Sequence, residues 1–141
     1  MDKEAIQELL PHREPMLLID KAWMDDDGTA HATFLIPEDP FFCRGHFPGN
    51  PIVPGVILCE IMAQSCITLL EDVLKTNILM YRGLDGVKFR GVVRPGDLCE
   101  INATLVEQKG SISICDAVLS VAGKRCAQAR ITLAATPKAY S

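Results

Sequence analysis

The chain has 141 residues, 48% of them hydrophobic, which is enough for one core and fits a single domain over residues 1–141. That content excludes intrinsic disorder. Fourteen Lys and Arg against 18 Asp and Glu leave a net charge of −4, so no cationic face is expected for nucleic acid, and an acidic partner must be met by a local basic patch.

Residues 2–9 predict a short amphipathic helix, stopped by Pro11. Residues 16–24 read as a strand, Asp25 to Gly28 as a turn, and residues 29–36 as the returning strand of a hairpin. Regularity then stops. Five of the nine prolines fall between Pro37 and Pro54, together with Gly45, Gly49 and Gly55. Proline cannot donate to a ladder, so this is a shaped loop, and long ordered loops are more often functional than decorative.

Gly55 to Lys75 predicts one helix about 31 Å long at 1.5 Å per residue, apolar almost all round and therefore buried on most sides. Residues 78–93 form an extended segment bent near Gly83 and Gly91. Alternation places Cys99, Ile101, Ala103 and Leu105 on one face of the next strand, and Ala127, Ala129, Ile131 and Leu133 on one face of the last. Residues 112–121 make the strand between them, set off by turns at Gly110 and Gly123. The pattern is α+β: a long central helix wrapped by a curved antiparallel sheet of about six strands. Such a sheet leaves open edges, and edge pairing of two copies would close them, so a homodimer is expected.

The N-terminus carries acids and no long apolar run, so no targeting segment is expected. The most apolar stretch, Gly55 to Leu70, holds Glu60 and Gln64 and is too short for a membrane span. A cytoplasmic protein is the expectation. The six cysteines, at positions 43, 59, 66, 99, 115 and 126, have no C-x-x-C pair and no zinc-type His spacing, and are expected to stay reduced without metal.

Three features carry chemistry. His46 lies in Gly45-His-Phe-Pro-Gly-Asn-Pro51, where prolines stiffen the loop. A lone loop histidine is usually structural, but a rigid loop is also what positions a general base, and imidazole titrates near working pH. Glu60 is the only charged residue between Phe47 and Leu70. A structural ion pair would explain it, yet no cation is near in sequence; a carboxyl in an apolar setting has a raised pKa and is a candidate general acid. Gln64 and Thr68 follow at four-residue steps, which draws a thin polar stripe on the helix. The first backbone N–H groups of the helix, at Gly55 and Val56, form the third feature: they lack partners and suit an oxyanion, and Gly55 lets a ligand approach. His12 after the first helix reads as structural, and His31 on its strand as exposed. Lys88, Arg90 and Arg94 form a basic run on one face of a strand, or simply a solvated face.

Gly45-His-Phe-Pro-Gly-Asn-Pro-Ile-Val-Pro-Gly-Val-Ile-Leu-Cys-Glu-Ile-Met-Ala-Gln64 resembles the signature of the (3R)-hydroxyacyl-[acyl-carrier-protein] dehydratases of the FabZ type. Leu9-Leu-Pro-His-Arg-Glu-Pro-Met-Leu-Leu-Ile-Asp20, Gly83-Leu-Asp-Gly-Val-Lys-Phe-Arg90 and Arg94-Pro-Gly-Asp97 resemble further blocks of that family. Glu14 stands where the family has an aromatic, and Gly91 where a basic residue is common. The resemblance implies a hotdog fold and a lyase that dehydrates β-hydroxyacyl thioesters in fatty acid biosynthesis. It implies a homodimer that builds a trimer of dimers, a homohexamer, with His46 of one subunit facing Glu60 of the other. It implies Gln64 as the residue that orients Glu60, and Lys88, Arg90 and Arg94 as the docking site for acyl carrier protein. Phe47, Met80 and Tyr81 are the tunnel or gate residues it implies. No metal or organic cofactor is implied, since the substrate rides on the phosphopantetheine of the carrier. A hotdog thioesterase, a non-catalytic acyl-binding subunit and a dehydratase of a specialised acyl or polyketide pathway are the alternatives.

Overall fold

The computed structural model describes residues 1–138. Helix α1 (Lys3–Leu9) is N-capped by the Asp2 carboxylate, which accepts from the Ala5 N–H at 3.0 Å. Six strands follow: β1 (Lys21–Met24), β2 (Ala30–Leu35), β3 (Asn77–Phe89), β4 (Leu98–Lys109), β5 (Ile112–Val121) and β6 (Lys124–Pro137). They form one antiparallel sheet in the order β1-β2-β4-β5-β6-β3, so β1 and β3 are its edges. Helix α2 (Gly55–Gln64) packs on β5 and β6. This is the hotdog arrangement of helix and wrapping sheet.

The sheet makes room for the helix with small residues. Ala30, Ala103, Ala117 and Ala129 lie directly opposite one another across four strands, and all are buried. A row without long side chains lets α2 settle close, with Leu58, Ile61 and Met62 filling the space between. All six cysteines are free thiols and buried among these residues.

Three expectations about elements are corrected. The helix ends at Gln64 instead of Lys75; a 3₁₀ turn at Ile67–Leu69 and a short α3 (Glu71–Leu74) follow. Ser65 Oγ donates back to the Ile61 carbonyl at 2.7 Å and the Cys66 N–H bonds to the Ala63 carbonyl at 3.2 Å, so the backbone tightens where Ser, Ile and Thr are weak helix formers. Thr68 therefore leaves the polar stripe, and its buried hydroxyl has no hydrogen-bond partner among the described residues.

The strand expected over 16–24 starts only at Lys21. Residues 16–20 are an extended strap that reaches the neighbouring strand only at Asp20, whose N–H bonds to the Thr33 carbonyl at 2.7 Å, while Leu18 and Met16 bond to a side chain. Gln64 Oε1 accepts from the Leu18 N–H at 2.8 Å, and Gln64 Nε2 donates to the Met16 carbonyl at 2.9 Å.

Strand β3 ends at Phe89, so the run Lys88, Arg90 and Arg94 does not share one strand face. Its register shifts near Gly83 as expected, and again between Asp85 and Lys88, where Gly86 has φ +57°. Gly91 lies past the strand: a Cβ there would stand 3.2 Å from Cys126 Sγ, so glycine allows the chain to pass close to β6. In β4 the buried alternation holds through Ala103, while Leu105 is 39% exposed beyond the core.

Candidate active site

Glu60 projects from the middle of α2, its side chain 19% exposed. Gln64, one turn on and buried, donates Nε2–H to Glu60 Oε2 at 2.8 Å while its amide also ties the strap. Gln64 thus contacts Glu60 while two further hydrogen bonds hold its amide to the strap. A polar partner comes from 48 positions upstream: His12 Nε2 lies 3.3 Å from the same Oε2. Burial pushes the Glu60 carboxyl up, but the nearby His12 ring, the Gln64 hydrogen bond and the adjacent Tyr81 hydroxyl outweigh it, and the carboxyl sits below its ordinary value. The raised pKa read from the apolar helix is thus corrected, because tertiary donors reach the carboxylate.

A cavity of about 350 Å³ opens beside this cluster, lined by His12, Glu60, Gln64, Met80 and Tyr81 with an apolar wall that includes Leu79 and Leu133. A second hollow of about 360 Å³ is lined by Val56, Cys59, Tyr81, Arg82, Gly83 and Leu84. Tyr81 borders both; its hydroxyl donates to the Cys59 carbonyl at 3.0 Å, and burial and the Glu60 charge push the phenol well up. Met80 borders only the first.

The N–H groups of Gly55 and Val56 open α2 behind Pro54, where no side chain caps them. Val56 is 77% exposed. The close approach that Gly55 permits is that of Phe89: a Cβ on Gly55 would stand 2.7 Å from the ring.

His46 sits in a loop folded on itself. Phe47 and Asn50 exchange backbone bonds at 3.0 and 2.9 Å, the Ile52 N–H bonds to the His46 carbonyl at 2.8 Å, and Gly45 and Gly49 supply positive φ. His46 Nδ1 donates to the Ile52 carbonyl at 3.0 Å. A carbonyl only accepts, so Nδ1 holds the proton and Nε2 is left with the lone pair. Phe47 stacks on the His46 ring at 4.4 Å and is half-exposed, away from the Glu60 cavity of its own chain. No hydrogen bond or ion pair joins His46 to Glu60 among the described residues, and His46 lines neither hollow.

Arg94 lies beyond the end of β3. Its Nη1 donates to Asn50 Oδ1 at 2.6 Å and so tethers the His46 loop. Lys88 and Arg90 are exposed and make no ion pair among the described residues. His31 is half-buried instead of exposed: it stacks on Trp23 at 5.5 Å and meets Asp25 Oδ2 at 2.7 Å. His12, read as structural, is the functional candidate the sequence missed. The available signal was its place in the Leu9–Asp20 block, which Gln64 pins against Glu60. Among the described residues no group of three or more His, Cys, Asp or Glu could hold a metal ion.

Residues 22–129 match the family model of ApeI-like dehydratases. The chain is 42% identical over 137 residues to the 3-hydroxyacyl-[acyl-carrier-protein] dehydratase FabZ of Latilactobacillus sakei, covering 94% of this chain and 96% of that protein. It is 38% identical to the FabZ of Streptococcus uberis, covering 95% and 97%. In fold it is similar to the dehydratase heterocomplex ApeI:P of Xenorhabdus doucetiae, with TM-score 0.78 and 19% identity over 95% of this chain and 92% of that one. A mutant thioesterase of Pseudomonas aeruginosa shares the fold at TM-score 0.67 and 20% identity, over 97% and 95%. By the family model and the full-length likeness together, this chain belongs to the FabZ-type 3-hydroxyacyl-[acyl-carrier-protein] dehydratases.

Proposed function

We propose that the chain dehydrates (3R)-hydroxyacyl thioesters carried by acyl carrier protein to trans-2-enoyl thioesters, in fatty acid biosynthesis. The observation that carries this reading is Glu60: a carboxyl fixed by an immobilised Gln64 at the wall of an apolar cavity, as an acid for a greasy substrate requires. His46 Nε2 takes the α proton, since the bond from Nδ1 to Ile52 leaves it the lone pair. The Gly55 and Val56 N–H groups hold the thioester oxygen as charge develops on it. Glu60 protonates the departing β-hydroxyl. The steps use these groups alone, without a metal or an organic cofactor.

His46 is not among the described residues that line the Glu60 cavity of its own chain, which supports a site made between two copies. The edge strand β3 supports the same reading: Met80, Tyr81, Leu84 and Phe89 leave an apolar stripe exposed on it. The catalytic unit is then a homodimer, and the family resemblance extends it to a trimer of dimers. Tyr81, between the two hollows, is the gate of the acyl tunnel; Met80 and the partner's copy of the Phe47 loop line it. Lys88 and Arg90 receive the acidic carrier.

The test is purified protein with a hydroxybutyryl thioester, followed by absorbance of the enoyl product. His46→Ala and Glu60→Gln should each lower kcat at least ~100-fold with folding intact. Near wild-type turnover in either removes its role. Release of free thiol instead of enoyl product would point to a thioesterase.

A further inference from the structure

The two histidines near this site are held differently. His46 donates Nδ1–H to a carbonyl, which locks its tautomer. His12 is not locked: its Nδ1 is buried without a hydrogen-bond partner among the described residues, and its Nε2 faces Glu60 Oε2 at 3.3 Å. The imidazole therefore has one polar partner, the carboxylate. Gln64 donates to the same Oε2, so both contacts fall on one oxygen and Oε1 remains for a substrate hydroxyl.

We propose that His12 is a positioning residue for the dehydration: its ring and the Glu60 carboxyl share one dissociable proton, which keeps Glu60 supplied with the proton it gives to the leaving hydroxyl. This rests on Glu60 being the acid. A carboxyl that accepts several hydrogen bonds is ionised at neutral pH and cannot donate alone. The His12 ring, with Nε2 3.3 Å from Oε2, keeps an exchangeable proton within reach. When the β-carbon–oxygen bond breaks, its electron pair leaves with the hydroxyl, which takes the proton of Glu60 and departs as water. The electron pair of the α C–H bond becomes the double bond, and that proton goes to His46, which afterwards releases it to solvent. His12 Nε2–H then returns a proton to Glu60, and solvent recharges the pair.

The surroundings leave the pair to itself. Tyr81 faces the carboxyl from β3 and Cys59 adjoins it on α2, both with their protons held by burial. Strand β6 offers Leu133, and the segment before His12 offers Leu10 and Pro11. The Arg13 guanidinium is turned to the carbonyls of Gln7, Leu10 and His12.

His12→Gln keeps an N–H for Oε2 and cannot titrate. With a small thioester substrate, its kcat should fall about 10-fold or more near neutral pH, with KM within about twofold, and the deficit should shrink as pH falls toward the carboxyl range. A wild-type profile, or a loss equal at every pH, overturns the proposal. Glu60→Gln run alongside separates the two readings: if it is fully active, Glu60 is not the acid, whereas an inactive Glu60→Gln with a pH-independent His12→Gln overturns only the role of His12. Should His12→Gln fail to fold, NMR titration of the wild-type protein decides. The Glu60 carboxyl and His12 ring signals should move together in shared steps, and two separate midpoints at ordinary values overturn the pair.

Discussion

The Glu60 carboxyl is pulled two ways. Burial on α2 favours the neutral acid, and the donors on it, led by His12 and Gln64, favour the carboxylate and prevail. The consequence for stability has a definite sign. A folded value below the ordinary 4.5 means the stabilisation is fully present above that pH and is lost as pH falls through the folded value. Chemical denaturation between about pH 6 and pH 3 should therefore cost the wild type more stability than Glu60→Gln, because the amide has no proton to gain. Asp25 and Asp116 are also held low, by His31 and Arg130, but they contribute equally to both proteins. A steeper loss in Glu60→Gln would mean that burial, not hydrogen bonding, governs the carboxyl. Gly55 is the other instructive residue. Its missing side chain is filled from outside the helix by the Phe89 ring, so the start of α2 and the end of β3 fix one another.

At the scale of elements, the end of β3 splits the basic run. Arg94 lies beyond β3 and ties the loop of His46 through Asn50. Lys88 and Arg90 stay at the strand end, unpaired and exposed. Their substitutions should separate by substrate. Arg94→Ala should lower kcat about 10-fold on carrier-linked and small thioesters alike, because a loosened loop misplaces the base. Reversal of Lys88 and Arg90 to Glu should raise KM for the carrier-linked substrate, more at low salt than at high, and leave an N-acetylcysteamine thioester almost unchanged. Equal losses on both substrates in the double reversal would make the pair structural. A carrier-specific loss in Arg94→Ala would return it to the docking patch.

For the whole molecule, the open β3 edge and the separation of His46 from Glu60 point the same way. If two copies share each site, His46→Ala and Glu60→Gln should complement when folded together. A mixed dimer then holds one intact site and one with both lesions, so a statistical mixture should recover about a quarter of wild-type activity, since half the dimers are mixed and each carries one working site of two. Mixtures containing heterodimers but no activity would place each site within one chain.

The sequence by itself determined what local rules govern. Alternation in residues 98–103 and 126–134 set strand faces, glycines 28, 110 and 123 set turns with positive φ, and the apolar run after Pro54 set the buried helix. The spacing of His46, the prolines and Glu60 carried the family, because those residues are contiguous in the chain. Only the tertiary structure decided the rest. Residues 16–20 are apolar like a strand, but the Gln64 amide takes the Leu18 N–H and the Met16 carbonyl. The helix stops at Gln64 because side-chain back-bonding competes with its last turn. His12 reaches Glu60 across 48 positions, and no periodicity encodes that contact. Local pattern reports which face of an element is apolar; which distant donor meets a buried carboxylate depends on how the elements pack, and that packing settles its charge.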